Sequence, residues 1–472
     1  MTTPPIPTTT PTDVVTVAAG VDLGNHIRQA VSEGYGLVAR SSTGQARHGR
    51  GTVSGGARLL DLSALRRVPL LSARERVAIV EAGVTYRQLQ PLLDAEGLRL
   101  CHPLLPPAGK SVVASLMDRE PPMAPRHHWD FTDPMLCAEL WFGTGDRFRT
   151  GSAAGPGATL EEQWRAGMFQ KNPLGPAQTD LAKLAQGAQG SLGFATWTSV
   201  RLELRPEIRA DLRICCEDLS RIAGFVAAIT RRRLGEEILI MDRCQLTRIA
   251  EALGVSAGEA THRWSLLLTV GSLPRRPEES MAMQLRQIEE LAAAAGLPLE
   301  HLAGTADQEL MMAVTSLPEL PAKIEDWKLA ATGGCRELAF LTTLDRALPL
   351  VDHVRSRWLG LGIGEGSIGT YLQPLNQGRT CHVELSAFVA PAEASTLDDT
   401  TAVLVEELID AGAFFSRPVG AAIAPTFARC GDVVRTLHKV KAVLDPHGVL
   451  NPGALCFDPA IAAAAFEEVS SS

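Results

Sequence analysis

At about Ile208 the hydrophobic pattern of the chain changes, and any fold it adopts must accommodate that change. Upstream, Val- and Leu-rich runs are separated by turns: 14-VVTVAAG-20, 36-GLVAR-40, 77-VAIVE-81 and 189-QGSLGFATWTSVRLELRPE-207. Downstream, helical segments such as 216-CEDLSRIAGFVAAITRRR-233 and 278-EESMAMQLRQIEELAAAAG-296 alternate with the strand-like 236-EEILIMD-242, 265-SLLLTVG-271, 337-ELAFLTT-343 and 382-HVELSAFVA-390. A period near 3.6 marks the first kind and alternation the second. This order predicts a separate α+β domain with an antiparallel sheet from Ile208 onward. A chain of 472 residues is also longer than one hydrophobic core sustains.

The upstream part reads as strand, turn and helix in a compact α+β arrangement. Residues 21-VDLGNHIRQAVSEG-34 have helical spacing, 77–98 pass from strand to helix at Gly83, and 136-LCAELWFGTGDRFRTG-151 has the chemistry of a hairpin. Residues 103–130 hold six prolines and little periodicity, with one helical turn expected at Val112 to Met117. Long loops inside compact chains usually serve function. After the strand 36–40 comes 41-SSTGQARHG-49, whose small residues suit an anion nest of backbone N–H groups. Composition alone equally allows a surface turn.

Several classes are disfavoured. A formal charge of −8 leaves no basic footprint for nucleic acid. No apolar run approaches the ~20 residues of a membrane span, and 1–13 reads as a disordered Thr/Pro leader, so a cytoplasmic protein is expected. Nine scattered cysteines without CxxC spacing argue against a disulfide framework or a zinc site, and no metal is expected. There is no GxxxxGK[ST], and 362-GIGEG-366 follows no clear strand, so it reads as a turn.

The series 42-STGQARHGRG-51, 59-LLDLSALRRV-68, 78-AIVEAGVTYRQL-89, 111-SVVASLMDRE-120, 128-HW-129, 146-DRFRTG-151, 189-QGSLGFAT-196 and 444-LDPHGVLNPG-453 resembles the vanillyl-alcohol oxidase and p-cresol methylhydroxylase family of FAD enzymes. The resemblance covers nearly the whole chain after the leader. It implies an α+β protein with a two-part FAD-binding domain of the PCMH type, residues 14–207 and 425–472, and an α+β cap with an antiparallel sheet, residues 208–424. It further implies that Ser42, Thr43, Gly44, Gln45, Ala46, Arg47, His48 and Gly49 wrap the FAD diphosphate. Ser111, Val112 and Ser115 would line a second cofactor stretch, Gly193, Phe194 and Ala195 would approach the isoalloxazine edge, and the turn at Asn451 would close the domain.

The chain departs from the family where mechanism is concerned. The cap position of covalent FAD attachment falls near 335-CRELAF-340, which has no His or Tyr, and Gln45 stands where related covalent enzymes carry histidine. Non-covalent FAD is expected, with His48 the alternative attachment point after a register shift. An acidic residue near the flavin is replaced by His127 or His128, either of which suits a base or a donor to the reduced flavin. The family's Tyr-Arg phenolate pair corresponds to Ser416-Arg417, so the guanidinium remains to hold an anion. Arg417 and His382 form the expected catalytic pair. With tyrosine only at 35, 86 and 371, a cage of several tyrosines is impossible.

These readings imply an FAD-dependent oxidoreductase taking a hydride from a small alcohol or phenol, with oxygen or a redox protein as acceptor. A hydroxy acid held by Arg417, or a non-catalytic flavin-binding subunit, are the alternatives. A homodimer is compatible with either.

Overall fold

The computed structural model describes residues 13–18, 22–44, 56–127, 133–155, 157, 159–166, 181–256, 262–316 and 326–467. Gln45, Ala46, Arg47, His48, Gly49 and His128 lie outside these residues.

The chain starts with a small parallel sheet in which Arg58–Asp61 lies between Val14–Thr16 and Leu37–Arg40. The connecting helix Leu23–Glu33 is specified at both ends. The Asp22 side chain accepts from the Gly24 amide, and Gly34 ends the helix at φ 75°, where a side chain would be strained. Next to it stands an antiparallel five-stranded sheet, ordered Leu70–Ser72, Val77–Glu81, Phe194–Arg201, Met135–Trp141 and Arg147–Arg149. Between Val77–Glu81 and the helix Tyr86–Ala95 the chain turns at Gly83, where a Cβ would strike the Ser63 carbonyl.

The C-terminal tail packs back onto this first region. The Leu37 amide donates to the Val449 carbonyl at 2.7 Å, and the Asn451 amide donates to the Leu37 carbonyl at the same distance. Buried Lys441, on the helix Gly431–Leu444, donates to the Ser191 carbonyl (2.7 Å), the Leu450 carbonyl (2.8 Å) and Asp445 Oδ2 (2.6 Å). The tail is thereby fixed to the loop that precedes strand Phe194–Arg201.

From Ile208 the chain builds a seven-stranded sheet in the order Leu299–His301, Ile208–Cys216, Trp264–Ser272, Glu237–Asp242, Ile368–Leu375, Thr380–Ala387, Arg336–Thr342. Every pairing in it is antiparallel, as the sequence predicts. The helices Leu219–Arg231, Pro277–Ala294, Leu344–Gly360 and Pro391–Asp410 contribute to one apolar core with one face of the sheet. Strand Thr380–Ala387 shows why that face was chosen. Cys381, Val383, Leu385 and Ala387 enter this core, so alternation turns His382, Glu384 and Ser386 to the other side.

On that other side a second core gathers Leu239, Met241, Tyr371 and Phe388 with the helix Arg243–Leu253 and with Leu105 and Met123 of the Pro-rich loop. The loop is thus clamped between the two halves. The Met123 carbonyl accepts from Gln373 Nε2 (3.0 Å), and the Gln377 amide donates to the Pro125 carbonyl (2.8 Å). All nine cysteines are free thiols. Among the described residues no helix is long and apolar enough to cross a membrane.

Candidate active site

Between the two halves lies a cleft of about 370 Å³. One wall comes from the N-terminal region. Strand Leu37–Arg40 runs directly into Ser41, Ser42, Thr43 and Gly44, which line the cleft. Gly44 has φ 91°, and the Thr43 amide donates to the Gly109 carbonyl at 2.9 Å. A Cβ on Gly109 would collide with Thr43, so backbone meets backbone here with no room for a side chain. Gly193, Phe194 and Ala195 line the cleft as well, with Gly193 at φ 157°. The loop and this strand start are two of the predicted cofactor segments, and the fold brings them to one cleft.

The third segment needs a correction. Ser111, Val112 and Ser115 are fully buried, and it is Val113, Ala114 and Met117 of the same helix, Val112–Met117, that line the cleft. Ser111 is consumed as the helix N-cap: its hydroxyl accepts from the Ala114 amide (3.0 Å) and donates to the Ala82 carbonyl. Ser115 Oγ donates to Glu120 Oε2 at 2.7 Å. Both serines shape the wall from behind it.

The wall from the C-terminal half carries titratable side chains. His382 and Glu384 project from strand Thr380–Ala387, with Tyr371 paired opposite Glu384 on the neighbouring strand. The Tyr371 ring meets His382 edge-on at 6.3 Å between centroids, and its hydroxyl donates to Gln373 Oε1 at 2.5 Å. His382 Nε2 lies 3.8 Å from Glu384 Oε2, while Lys328 Nζ donates to Glu384 Oε1 at 2.6 Å and to Glu337. Burial pushes the His382 imidazole below its ordinary value; Glu384 opposes this, while Arg417 and Lys328 add to it. The result is a neutral ring facing the cleft. Burial alone would raise the Glu384 carboxyl, but Lys328 and His382 together outweigh it and hold the group below the usual carboxylate range.

Arg417 also lines the cleft, on a segment held in two places. Phe414 and Leu341 exchange backbone hydrogen bonds of 2.9 and 2.8 Å, and Gln189 Nε2 donates to the Pro418 carbonyl at 3.0 Å. Gln189 in turn is fixed by Asn451, whose Nδ2 donates to the Gln189 carbonyl at 2.5 Å. Arg417 Nη2 stands 3.6 Å from Glu120 Oε1, which also accepts from Lys110 Nζ at 2.7 Å. Burial disfavours charge on Glu120, yet Lys110 and Arg417 hold it ionised, with a pKa of about 2. Lys110 is the nearer partner of Glu120, and the Arg417 guanidinium lines the cleft beside it.

His127 lies elsewhere. It does not line the cleft; its Nε2 is 2.9 Å from Glu203 Oε1, in a seam that also holds Arg126, Arg99, Cys101, Glu236 and Glu237. Burial would keep this imidazole neutral, but Cys101 and Glu203 outweigh burial and raise it to about 10. The expectation of a flavin-facing base at His127 is corrected: an imidazolium locked to a carboxylate has no lone pair to offer. Cys101, His127 and Glu203 come within 4.8 Å of one another in a set that resembles a metal site. Arg126 and Arg99 already engage the same carboxylate, so positive charge is supplied by the chain itself.

Sequence reasoning missed Lys328, Glu337, Glu384, Glu120 and Tyr371. The signal for Glu384 is its spacing of two from His382 in an alternating strand. Lys328 sits on the short 3-10 turn Trp327–Leu329 and carries no periodic signal.

No family model matches the sequence, and no curated protein is similar to it in sequence. Solved structures are similar in fold. 4-Ethylphenol oxidase from Gulosibacter chungangensis, in its isoeugenol complex, is 19% identical with a TM-score of 0.74, over 95% of this chain and 90% of that one. p-Cresol methylhydroxylase with substrate bound is 16% identical with a TM-score of 0.76, over 94% and 88%. Alkyldihydroxyacetonephosphate synthase is 12% identical with a TM-score of 0.62, over 93% and 75%. The chain therefore has the α+β fold expected from its sequence, in the arrangement of p-cresol methylhydroxylase.

Proposed function

We propose that the protein is an FAD-dependent oxidoreductase acting on a small phenol or aromatic alcohol. The observation that carries this reading is one cleft with Ser42 to Gly44 and Gly193 to Ala195 on one side and neutral His382 beside Arg417 on the other. Residues 14–207 with 425–472 would hold the cofactor, and residues 208–424 would form the cap. Two 4-alkylphenol or cresol enzymes share the fold, which supports a phenolic substrate.

The fit of FAD rests on the backbone. Positive φ at Gly44 and Gly193 and the small residues Ser41 and Ser42 make room for a diphosphate and a flat ring, and the close Gly109–Thr43 contact holds that loop in place. When bound, the isoalloxazine supplies the redox chemistry by accepting a hydride from the substrate carbon. Arg417 pairs with the developing oxyanion, and His382 accepts the O–H proton. Glu384 stabilises the imidazolium, and Tyr371, Phe415 and Pro121 exclude water from that end of the cleft.

FAD is held without a covalent bond in this reading. The cleft residues Glu337, Leu338 and Ala339, at the cap attachment position, offer no imidazole or phenol. Acid precipitation of the purified yellow protein tests it: flavin passes into the supernatant, and a yellow pellet would refute non-covalent binding. Anaerobic 4-ethylphenol is expected to bleach the flavin absorption. A colourless protein that ignores added FAD would end the proposal. Stopped-flow mixing of the reduced protein with oxygen identifies whether oxygen or a redox protein is the acceptor.

A further inference from the structure

Removing one proton from a substrate needs one base, yet the cap wall buries a whole cluster of charge around His382. Lys328 is 4% exposed and reaches two carboxylates at once, Glu337 and Glu384. Buried ion pairs of this kind contribute little net stability, so their position on a reactive cleft asks for another role. The geometry is directional. Lys328 Nζ takes Glu384 Oε1, at 2.6 Å, and the other oxygen, Oε2, is the one 3.8 Å from His382 Nε2.

We propose that Lys328 is a positioning residue for His382, acting through Glu384: by engaging one carboxylate oxygen it turns the other toward the imidazole. This rests on the reading of His382 as the proton acceptor. The groups that face His382 are Glu384 on its own strand, Tyr371 on the next, Lys328 from its 3-10 turn with Glu337 behind it, and Arg417 with Glu120 behind it. Tyr371 meets the ring edge-on and limits its rotation. When a substrate O–H bond breaks, its proton forms an N–H bond on His382 and the electron pair stays on the substrate oxygen beside Arg417. The imidazolium then stands against Glu384, and Lys328 keeps that carboxylate from taking the proton itself. No electron passes through Lys328.

A double-mutant cycle tests the coupling, using the FAD-loaded protein and 4-ethylphenol as probe. Anaerobic flavin reduction is followed in the unaltered protein, Lys328→Met, Glu384→Gln and the double variant. Lys328→Met slows reduction about tenfold where Glu384 is present and less than about twofold in the Glu384→Gln background. Lys328→Arg restores most of the rate. The second readout is the NMR titration of the His382 ring, which moves to lower pH in Glu384→Gln because the partner favouring the imidazolium is gone. Lys328→Gln carries the same cycle if Lys328→Met does not retain flavin. An equal cost of the Lys328 substitution in both backgrounds overturns the inference and leaves His382 untouched. If His382→Asn itself leaves flavin reduction unchanged, the reading of His382 fails, and this inference with it.

Discussion

The cleft and the seam are built from the same kinds of residue and reach opposite electrostatic states. Each has a buried histidine beside a glutamate with arginines near by: His382 with Glu384 and Arg417, His127 with Glu203, Arg126 and Arg99. His382 is pushed down and stays neutral, whereas His127 is raised to about 10 and stays charged. The difference lies in Cys101, which sits beside His127 and has no counterpart at His382 among the described residues, and in how each carboxylate is shared. Glu384 is drawn toward Lys328 and faces His382 at 3.8 Å, while Glu203 meets His127 at hydrogen-bond distance. A buried His-Glu pair is therefore not a catalytic signature by itself; the other groups against the ring and the partners of the carboxylate decide whether the ring can accept a proton.

The largest effect separates the two histidines directly. His382→Asn is expected to slow anaerobic flavin reduction by 4-ethylphenol by about 10²–10⁴-fold, the usual contribution of a positioned base. His127→Asn is expected to leave the rate within about threefold once flavin content is matched, since no proton transfer runs through it. Comparable losses in both would erase the distinction drawn here.

Arg417 and Glu203 sharpen the comparison from the charged side. Arg417→Met is expected to weaken isoeugenol binding about 10- to 100-fold, equivalent to a charge-assisted bond of about 1.5–3 kcal/mol. The perturbed visible spectrum of the flavin reports the titration. Glu203→Gln leaves Arg126, Arg99 and His127 without their shared carboxylate, and the expected loss is about 3–5 kcal/mol of stability. Chemical denaturation measures it, with little change in the affinity for isoeugenol. If Glu203→Gln alters that affinity as much as Arg417→Met, the seam belongs to the site after all.

Periodicity made the seven-stranded sheet readable. Alternation in 382-HVELSAFVA-390 fixed a strand and, with it, the face that carries His382 and Glu384. Strand Ile368–Leu375, next to it in the sheet, was missed because its eight residues are buried without alternation. The proposed cofactor wall was legible in the order of segments, but not in which face of the helix Val112–Met117 lines the cleft. A serine before a helix first satisfies orphan N–H groups, and Ser111 does so, which turns Val113 and Ala114 to the cleft. His127 and His382 could not be told apart along the chain. Of the groups that raise His127, Cys101 is near in the chain but Glu203 is 76 residues away, and the lysine that holds Glu384 is 56 residues from it.

The last effect is a slope of stability with pH, and it has opposite sign in the two regions. His127 has a folded pKa near 10, above its ordinary 6.5, so its contribution is complete below pH 6.5 and declines as pH rises toward 10. His382 has a folded pKa below 6.5, so the folded state resists its protonation and stability falls as the pH drops below 6.5. The melting temperature is therefore expected to decline on both sides of neutrality from these two groups. His127→Gln flattens the alkaline side without touching the acid side, and His382→Asn does the reverse. Thermal melts of the two variants between pH 5 and pH 10, each against the unaltered protein, check the assignment. A flattened acid limb in His127→Gln would mean that the seam histidine is neutral, and the contrast between the two carboxylates would lose its basis.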